Sequence, residues 1–447
     1  MKNISDEQKI YELSLIWKEA EYNFAFWNKI NDKVNWDEEY KQALKRVLKT
    51  KNLYEYYMEL SRFISKLKDG HTFIYFPKEV QKDPQYFSYL PISTDFIEGK
   101  IVIDCVDDSV KDLVKPFSII KKFSGIPIKE YIENNIFPYI WHEKPESNYW
   151  EINNHLLRGA LNSEVEFELE YEGKIETVVL ERTKNKQVYS KNRNVYIEGE
   201  LKEFKSFKLN ITKDGIMIIT IDTFMNNELP KELYDNFELL KKAKGIIINI
   251  SQNSGGNGYY SGALAALFIG KEFEIDYSKT QVHIASYKAW SKNTVFSKTY
   301  EEYMEIVENI EYFEKLWKIP KHEYYKEDRN KLSYDIPGLL KVPVMIVISA
   351  VTASAAEDFL IMMRGHTNAT IVGTPSYGST GQPLNIYLES GGRLGICTRQ
   401  CLMLDGTDFT NKGIVPDVYI EETIESVKAN RSLALEKALE LLREKLK

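Results

Sequence analysis

The chain has 447 residues, 43% hydrophobic and 28% charged, with a net charge of −7 at neutral pH. That length exceeds one ordinary core and predicts two or three domains, with the composition of a soluble globular protein. Mild acidity without a basic cluster excludes the electrostatic footprint of a nucleic-acid binder.

From the N-terminus, "MKNISDEQKIYELSLIWKEAEYNF" has no apolar core region after its first lysine, so no secretory signal is expected. No apolar run nears the roughly 20 residues of a membrane helix, and a membrane span is not expected. Three cysteines give no disulfide framework, and a reduced, cytoplasmic protein is the expectation. Cys397 and Cys401 stand four apart in "CTRQC", read as strand; with no second Cys or His pair nearby, neither a metal nor another cofactor is expected.

Residues 6 to 68 show apolar spacing at three and four, which predicts helices. They end at "KDGHTFIYF", where Asp69-Gly70 is turn chemistry and "TFIYF" has strand composition. Residues 88 to 185 change character. "YLPISTDFIEGKIVIDCV" contains two strand-like pieces joined by Glu98-Gly99, and "VEFELEYEGKIETVVLER" alternates about Glu172-Gly173 as a hairpin does. Between them, "IIKKFSGIPIKEYI" reads as strand, turn and helix start.

From "KDGIMIITIDTF" onward, buried strands alternate with helices, the α/β signature. "GIIINI", "VPVMIVISA" and "ATIVGT" are the strands; "YYSGALAALFIG" and "SAAEDFLIMMRG" are helices between them. The stretch from Ser278 to Pro337, rich in Tyr, Trp, Lys and Glu, reads as an insertion, helical around "YEEYMEIVENIEYFEKLW". Its Tyr287, Trp290, Tyr300 and Trp317 fit equally a cleft lining and a dimer surface. "SVKANRSLALEKALELLREKLK" is an amphipathic C-terminal helix. The domains expected are a helical 1–86, a β-rich 87–200 and an α/β 201–447 with its insertion at about 278–337.

Functional groups in α/β sheets collect at the carboxyl ends of strands, and two such ends stand out. In "GIIINISQNSGGNG", Gly255 and Gly256 fit a plain turn or an anion-binding nest of backbone amides. No lysine follows in a phosphate-loop position, and GxGxxG spacing is absent. In "SAVTASAAEDF", Ser354 precedes a helix start among small residues. It fits a helix cap, forming a capping box with Glu357, or a nucleophile beside helix amides that favour an oxyanion. The lipase-type GxSxG elbow is absent. A serine nucleophile needs a base. Of six histidines, His71 alone lies at a sharp turn before a strand, where it is either a solvated turn residue or an imidazole presented from a loop.

Together these pieces resemble the tail-specific, or C-terminal-processing, serine proteases and their relative the tricorn core protease, over nearly the whole chain. "KGIIINISQNSGG" stands where that family has DxRxNxGG, "TASAAED" matches its nucleophile turn, and "ATIVGTPSYGSTG" its next strand and turn. "GTDFTNKGIVPDV" matches its closing GxxPD, and "LKDGHTFI" the DGH of the tricorn-like branch. The resemblance implies a crotonase/ClpP-like α/β catalytic core, with the β-rich region in the place of a PDZ-like domain that binds peptide ends by strand addition. It implies Ser354 as nucleophile, with Gly255 or Gly256 and the Ala355 amide as oxyanion hole. The substrate would be a peptide or unfolded protein tail, and a homo-oligomer is a further expectation.

Two departures redirect the assignment. Ser379 stands where the bacterial enzymes place a lysine base, which shifts the role of base to His71, as in the tricorn-like branch. That branch supplies a glutamate orienter before the closing motif; here Thr410 is nearest, with Asp405, Asp408 and Glu357 as other candidates. Asn249 and Ser251 replace the usual aspartate and arginine of the glycine motif. A weakly active peptide-binding relative, a crotonase-type acyl-CoA enzyme and a small-molecule esterase are the competing readings.

Overall fold

The computed structural model describes residues 4–140, 146–184, 195–283, 285, 299–304, 316–317 and 325–447. They form two compact units: Met1–Pro77 with Tyr277–Arg329 and Gly381–Cys401, and Lys78–Asp276 with Asn330–Thr380 and Leu402–Lys447.

The first unit starts with three main helices, Asp6–Asn23, Trp36–Val47 and Leu53–Ile64. Each begins on a side chain that accepts an otherwise unpaired amide: Ser5 from Gln8, Asn35 from Glu38 and Asn52 from Glu55. They bury Leu13, Ala43, Leu60 and Phe63, and Trp36 stacks on Phe63 at 4.1 Å between ring centroids. The third helix tightens into a 3-10 turn, Ser65–Leu67, and stops at Lys68, whose φ of 53° and ψ of 45° are left-handed. The strand Phe73–Tyr75 follows and pairs antiparallel with Arg393–Cys397, which pairs in turn with Pro383–Tyr387. Cys397 and Cys401 lie on separate strands, Arg393–Cys397 and Gln400–Leu402, rather than on one. Of the aromatic insertion, Tyr300 opens a short helix, Tyr300–Met304, and Trp317 is half-buried; Tyr287 and Trp290 lie outside the described residues.

The second unit is built mainly on two sheets. The β-rich one has the antiparallel strands Ile92–Ile97, Lys100–Val106, Ile119–Phe123, Glu164–Tyr171 and Lys174–Glu181, joined in that order. Its tight turns use the expected dipeptides: Glu98-Gly99 and Glu172-Gly173 have positive φ at both residues, the mirror-image turn that matches strand twist. The helix Tyr149–Leu157 covers this sheet with Ile152, Leu156 and Leu157.

The second sheet is seven-stranded. Two antiparallel strands, Glu200–Glu203 and Lys208–Ile211, lead into Ile216–Thr220, Gly245–Asn249, Val344–Ile348, Thr370–Gly373 and Val418–Tyr419, all parallel. Isoleucine and valine fill the central strands because parallel strands are buried on both faces. One face packs Ile218, Ile247 and Met345 under Leu435, Ala438 and Leu442 of the helix Leu433–Lys445. Residue pairs Thr220–Asn249, Asn249–Val347 and Ile348–Gly373 align the carboxyl ends. The loops that follow four neighbouring strands therefore leave the sheet at one edge. The mixed α/β class expected from the sequence holds.

Candidate active site

Ser354 lies where that edge meets the helix Ala355–His366. Its φ of 54° and ψ of −125° are rare for a residue with a Cβ. Its backbone is held from three directions. The Ser354 N–H reaches the carbonyl of Ser379 and a carboxylate oxygen of Glu357, both at 3.3 Å. Its carbonyl accepts the amides of Glu357 at 2.7 Å and Asp358 at 3.0 Å. The capping box expected from the sequence is present, with the Ser354 side chain on the Glu357 amide and the Glu357 side chain on the Ser354 amide. The Ser354 carbonyl shares the Glu357 amide, so the cap does not rest on the hydroxyl alone.

Glu357 is fully buried. Besides Ser354, it accepts the hydroxyl of Ser376 and the amides of Gly378 at 2.7 Å and Ser379 at 3.1 Å. Its carboxylate thus joins the Ser354 turn to the Pro375–Thr380 loop. Ser376 passes the connection on, since its Oγ accepts the Ile414 amide at 2.7 Å. Ser379 is buried, its amide on Glu357 and its carbonyl on Ser354. Thr410 and Asp408 stand beside this loop: the Asn411 amide donates to the Gly378 carbonyl at 2.7 Å, and Asp408 Oδ1 accepts the Thr410 amide at 2.9 Å. Asp408 and Asp405 are exposed; hydrogen bonds from Thr407 hold the Asp405 carboxyl below the usual range.

The glycine turn abuts Ser354. A Cβ on Gly255 would lie 2.7 Å from Ser354 Cβ and 3.0 Å from the Ala355 nitrogen. At φ 104°, with that contact, only glycine fits. The two glycines differ in what they can offer. The Gly255 N–H is spent on Asn253 Oδ1 at 2.9 Å, whereas the Gly256 and Ala355 N–H groups meet no acceptor among the described residues. Gly256 and Ala355 are therefore the donors left for an oxyanion.

Asn253 escaped the reading of the sequence. It is fully buried and ties three strand ends together. Its Nδ2 donates to the Ile221 carbonyl at 3.1 Å, its Oδ1 accepts from Gly255, and its carbonyl accepts the Ala353 amide at 3.2 Å. The signal was its place in "SQNSGG". The substituted pair Asn249 and Ser251 also find each other: the Ser251 hydroxyl donates to Asn249 Oδ1 at 2.8 Å. A neutral hydrogen bond thus occupies the positions of the family's aspartate and arginine. Large apolar side chains stand exposed on these loops and at the start of the helix Gly258–Ile269: Met225 at 71%, Tyr259 at 50% and Val351 at 41%.

His71 belongs to the other unit. Its turn is built on Asp69, a buried carboxylate that accepts the His71 amide at 3.1 Å and the Thr72 hydroxyl at 2.7 Å. Thr72 Oγ1 in turn accepts the Cys397 amide at 3.1 Å. Burial holds the imidazole below its ordinary pKa, and the Asp69 charge works against that shift. Burial also pushes the Cys397 thiol well up, which makes it a poor nucleophile. Asp69 is a second residue that the search for an orienter passed over, although it stands in the same "DGH". Among the described residues no cluster of three or more His, Cys, Asp or Glu side chains could hold a metal, and no helix is long and apolar enough to cross a membrane.

Residues 215–420 match the model of Peptidase family S41. The likeness to C-terminal-processing serine proteases extends to sequence. The carboxy-terminal-processing protease of Bartonella bacilliformis is 32% identical over 82 residues, 18% of this chain and 19% of that protein. The matched stretch is thus about a fifth of the curated relative's length. Among solved structures, mature CPAF superposes with a TM-score of 0.73 at 13% identity, covering 99% of this chain and 97% of that one. The photosystem II D1 C-terminal processing protease reaches 0.50 at 15% identity, with 98% of each chain covered. At such identities these two show a shared fold.

Proposed function

We propose that this chain, an S41-type peptidase over residues 215–420, hydrolyses peptide bonds through an acyl-enzyme on Ser354. The observation that carries the reading is the Ser354 turn. A serine held at a strained φ, at a helix N-terminus, touches a glycine turn and lies beside two amides without acceptors. Those features supply a nucleophile and preorganised donors for the charge that develops on a carbonyl oxygen.

In the proposed sequence His71 takes the Ser354 proton as Oγ attacks the peptide carbonyl. The tetrahedral oxyanion rests on the Gly256 and Ala355 amides. The same imidazole returns its proton to the leaving amine, and water, deprotonated by His71, releases the acyl group. His71 suits the role because its lowered pKa keeps it neutral near pH 7. Asp69, Thr410 and Asp408 are the candidates to orient it. The substrate is a peptide or unfolded protein tail, and Met225, Tyr259 and Val351 offer its side chains apolar contact. The division at 86 and 200, a PDZ-like role for the β-rich region, a homo-oligomer and a cytoplasmic location complete the proposal.

A fluorophosphonate probe tests the core of it. The folded protein should be labelled at Ser354, and Ser354→Ala should abolish both labelling and peptide cleavage. Absence of labelling in folded protein would favour the second reading, a peptide-binding relative, which the buried Ser379 in the lysine's place motivates.

A further inference from the structure

The three-stranded sheet of the first unit sets Tyr75, Arg393 and Tyr387 in one row. Arg393 lies directly opposite Tyr75 on one neighbouring strand and Tyr387 on the other. The Arg393 guanidinium lies 4.3 Å from the centroid of the Tyr75 ring and 5.9 Å from that of Phe73. It forms no ion pair among the described residues. Tyr387 is 77% exposed and Tyr75 47%. Gly395, next in the row below, leaves room for the Phe73 ring, which a Cβ there would meet at 2.5 Å.

The strand Pro383–Tyr387 is the sheet's edge. The Leu388 amide donates to the Gly392 carbonyl at 2.9 Å, which closes the hairpin with a hydrogen-bonded pair. Alternation then turns the backbone groups of Tyr387 and Asn385 outward, away from the sheet. Tyr387 and Arg393 form a non-hydrogen-bonded pair, the kind whose side chains lie closest.

This surface lacks two things. Among the described residues its cation, already stacked on an aromatic ring, has no anion, and its edge strand has no further neighbour. An arginine fork takes a carboxylate bidentately, tyrosine and arginine dominate binding hot spots, and an open edge takes an extended backbone. We infer that this row is a docking site for an extended acidic peptide segment. The segment adds as a strand along Asn385–Tyr387 and places a carboxylate on Arg393 between the two tyrosine rings. The inference rests on the peptidase reading only in making that segment part of a substrate, apart from the bond to be cut.

Binding is measured on the full chain carrying Ser354→Ala, so that nothing is cleaved. Fluorescent peptides with a central run of glutamates are compared with their glutamine counterparts. The acidic peptide should bind about tenfold tighter or more at low salt. Arg393→Gln should erase that difference while leaving the glutamine peptide unchanged. Arg393→Lys should restore only part of it, and Tyr387→Ala should weaken it. Equal binding of both peptides to the parent, or an Arg393→Gln variant that still prefers the acidic one, overturns the proposal. So does a variant whose only change is loss of a dimer, since the row would then be an interface between copies. Labelling of Ser354 by the fluorophosphonate is read separately in the parent chain: its absence overturns the peptidase reading and leaves the peptide comparison standing.

Discussion

The turns of Ser354 and His71 solve one problem in two ways. Each presents a polar side chain from a tight bend, and each bend is clamped by a buried carboxylate close in sequence, Glu357 in one case and Asp69 in the other. The difference lies in where the strain sits. Ser354 itself has positive φ, so the proposed nucleophile bears the strain. At the other turn it falls on Lys68, and His71 is free of it. A nucleophile must be held against neighbouring amides, whereas a base has only to be presented in the correct protonation state.

The sharpest way to break this contrast is at Ser354. Ser354→Ala should cut turnover by roughly 10⁴–10⁶-fold. Its unfolding free energy should drop by only about 1 kcal/mol, the scale of a helix cap, since the backbone bonds of Ser354 remain and only the hydroxyl of the capping box is lost. A variant with cleavage intact would remove Ser354 from the mechanism. Next in size is Gly255→Ala. The new methyl would press on Ser354 Cβ at 2.7 Å and on the Ala353 carbonyl oxygen at 2.7 Å. A loss of about 10²–10³ in kcat is expected, the scale of a misplaced oxyanion site. An unchanged kcat would mean that the turn yields freely and that its strain is irrelevant.

The two clamps should also differ under amidation. Glu357→Gln sets an NH2 group either against the Gly378 amide at Oε1 or against the Ser354 and Ser379 amides at Oε2, so donor meets donor in both orientations. A stability loss of about 2–3 kcal/mol is expected in urea unfolding, with kcat falling as the Ser354 turn loosens. Asn253→Ala should act more narrowly. It frees the Gly255 amide and strands the Ile221 carbonyl, costing about 1–3 kcal/mol. The added Gly255 donor competes at the oxyanion site, so kcat should fall more than KM rises.

Legibility in the sequence followed the same divide. The parallel core announced itself because buried parallel strands must be nearly continuous in isoleucine and valine, as in "GIIINI" and "VMIVI". The hairpins were readable because Glu-Gly at positive φ is a local requirement. Ser354 was visible as a small-residue turn after such a strand, but its conformation was not, since a cap and a nucleophile share the same letters. Asn253 and Asp69 were missed for a different reason. Asn253 is held by backbone groups of Ile221 and Gly255, and Asp69 by the His71 amide as well as the Thr72 hydroxyl; backbone partners leave no mark in side-chain identity. Glu357 was weighed as an orienter because its spacing from Ser354 was visible; the amides of a loop some twenty residues later, which it also binds, were not.

The smallest expected effect tests the base. For His71 to accept a proton it must be neutral, so kcat/KM should rise with pH through the His71 pKa. Burial disfavours the charged imidazole and lowers that pKa from its ordinary value of about 6.5. The acid limb of the profile should therefore lie below that value. Asp69 opposes the shift, because its negative charge stabilises the imidazolium. Asp69→Asn keeps an acceptor for the His71 amide and the Thr72 hydroxyl but deletes the charge. The pKa should then fall further, and the acid limb should move to still lower pH while the plateau changes little. A limb that moves upward would contradict the electrostatic assignment. A limb indifferent to Asp69→Asn yet abolished by His71→Ala would keep His71 as the base and leave its orientation to Thr410 or Asp408.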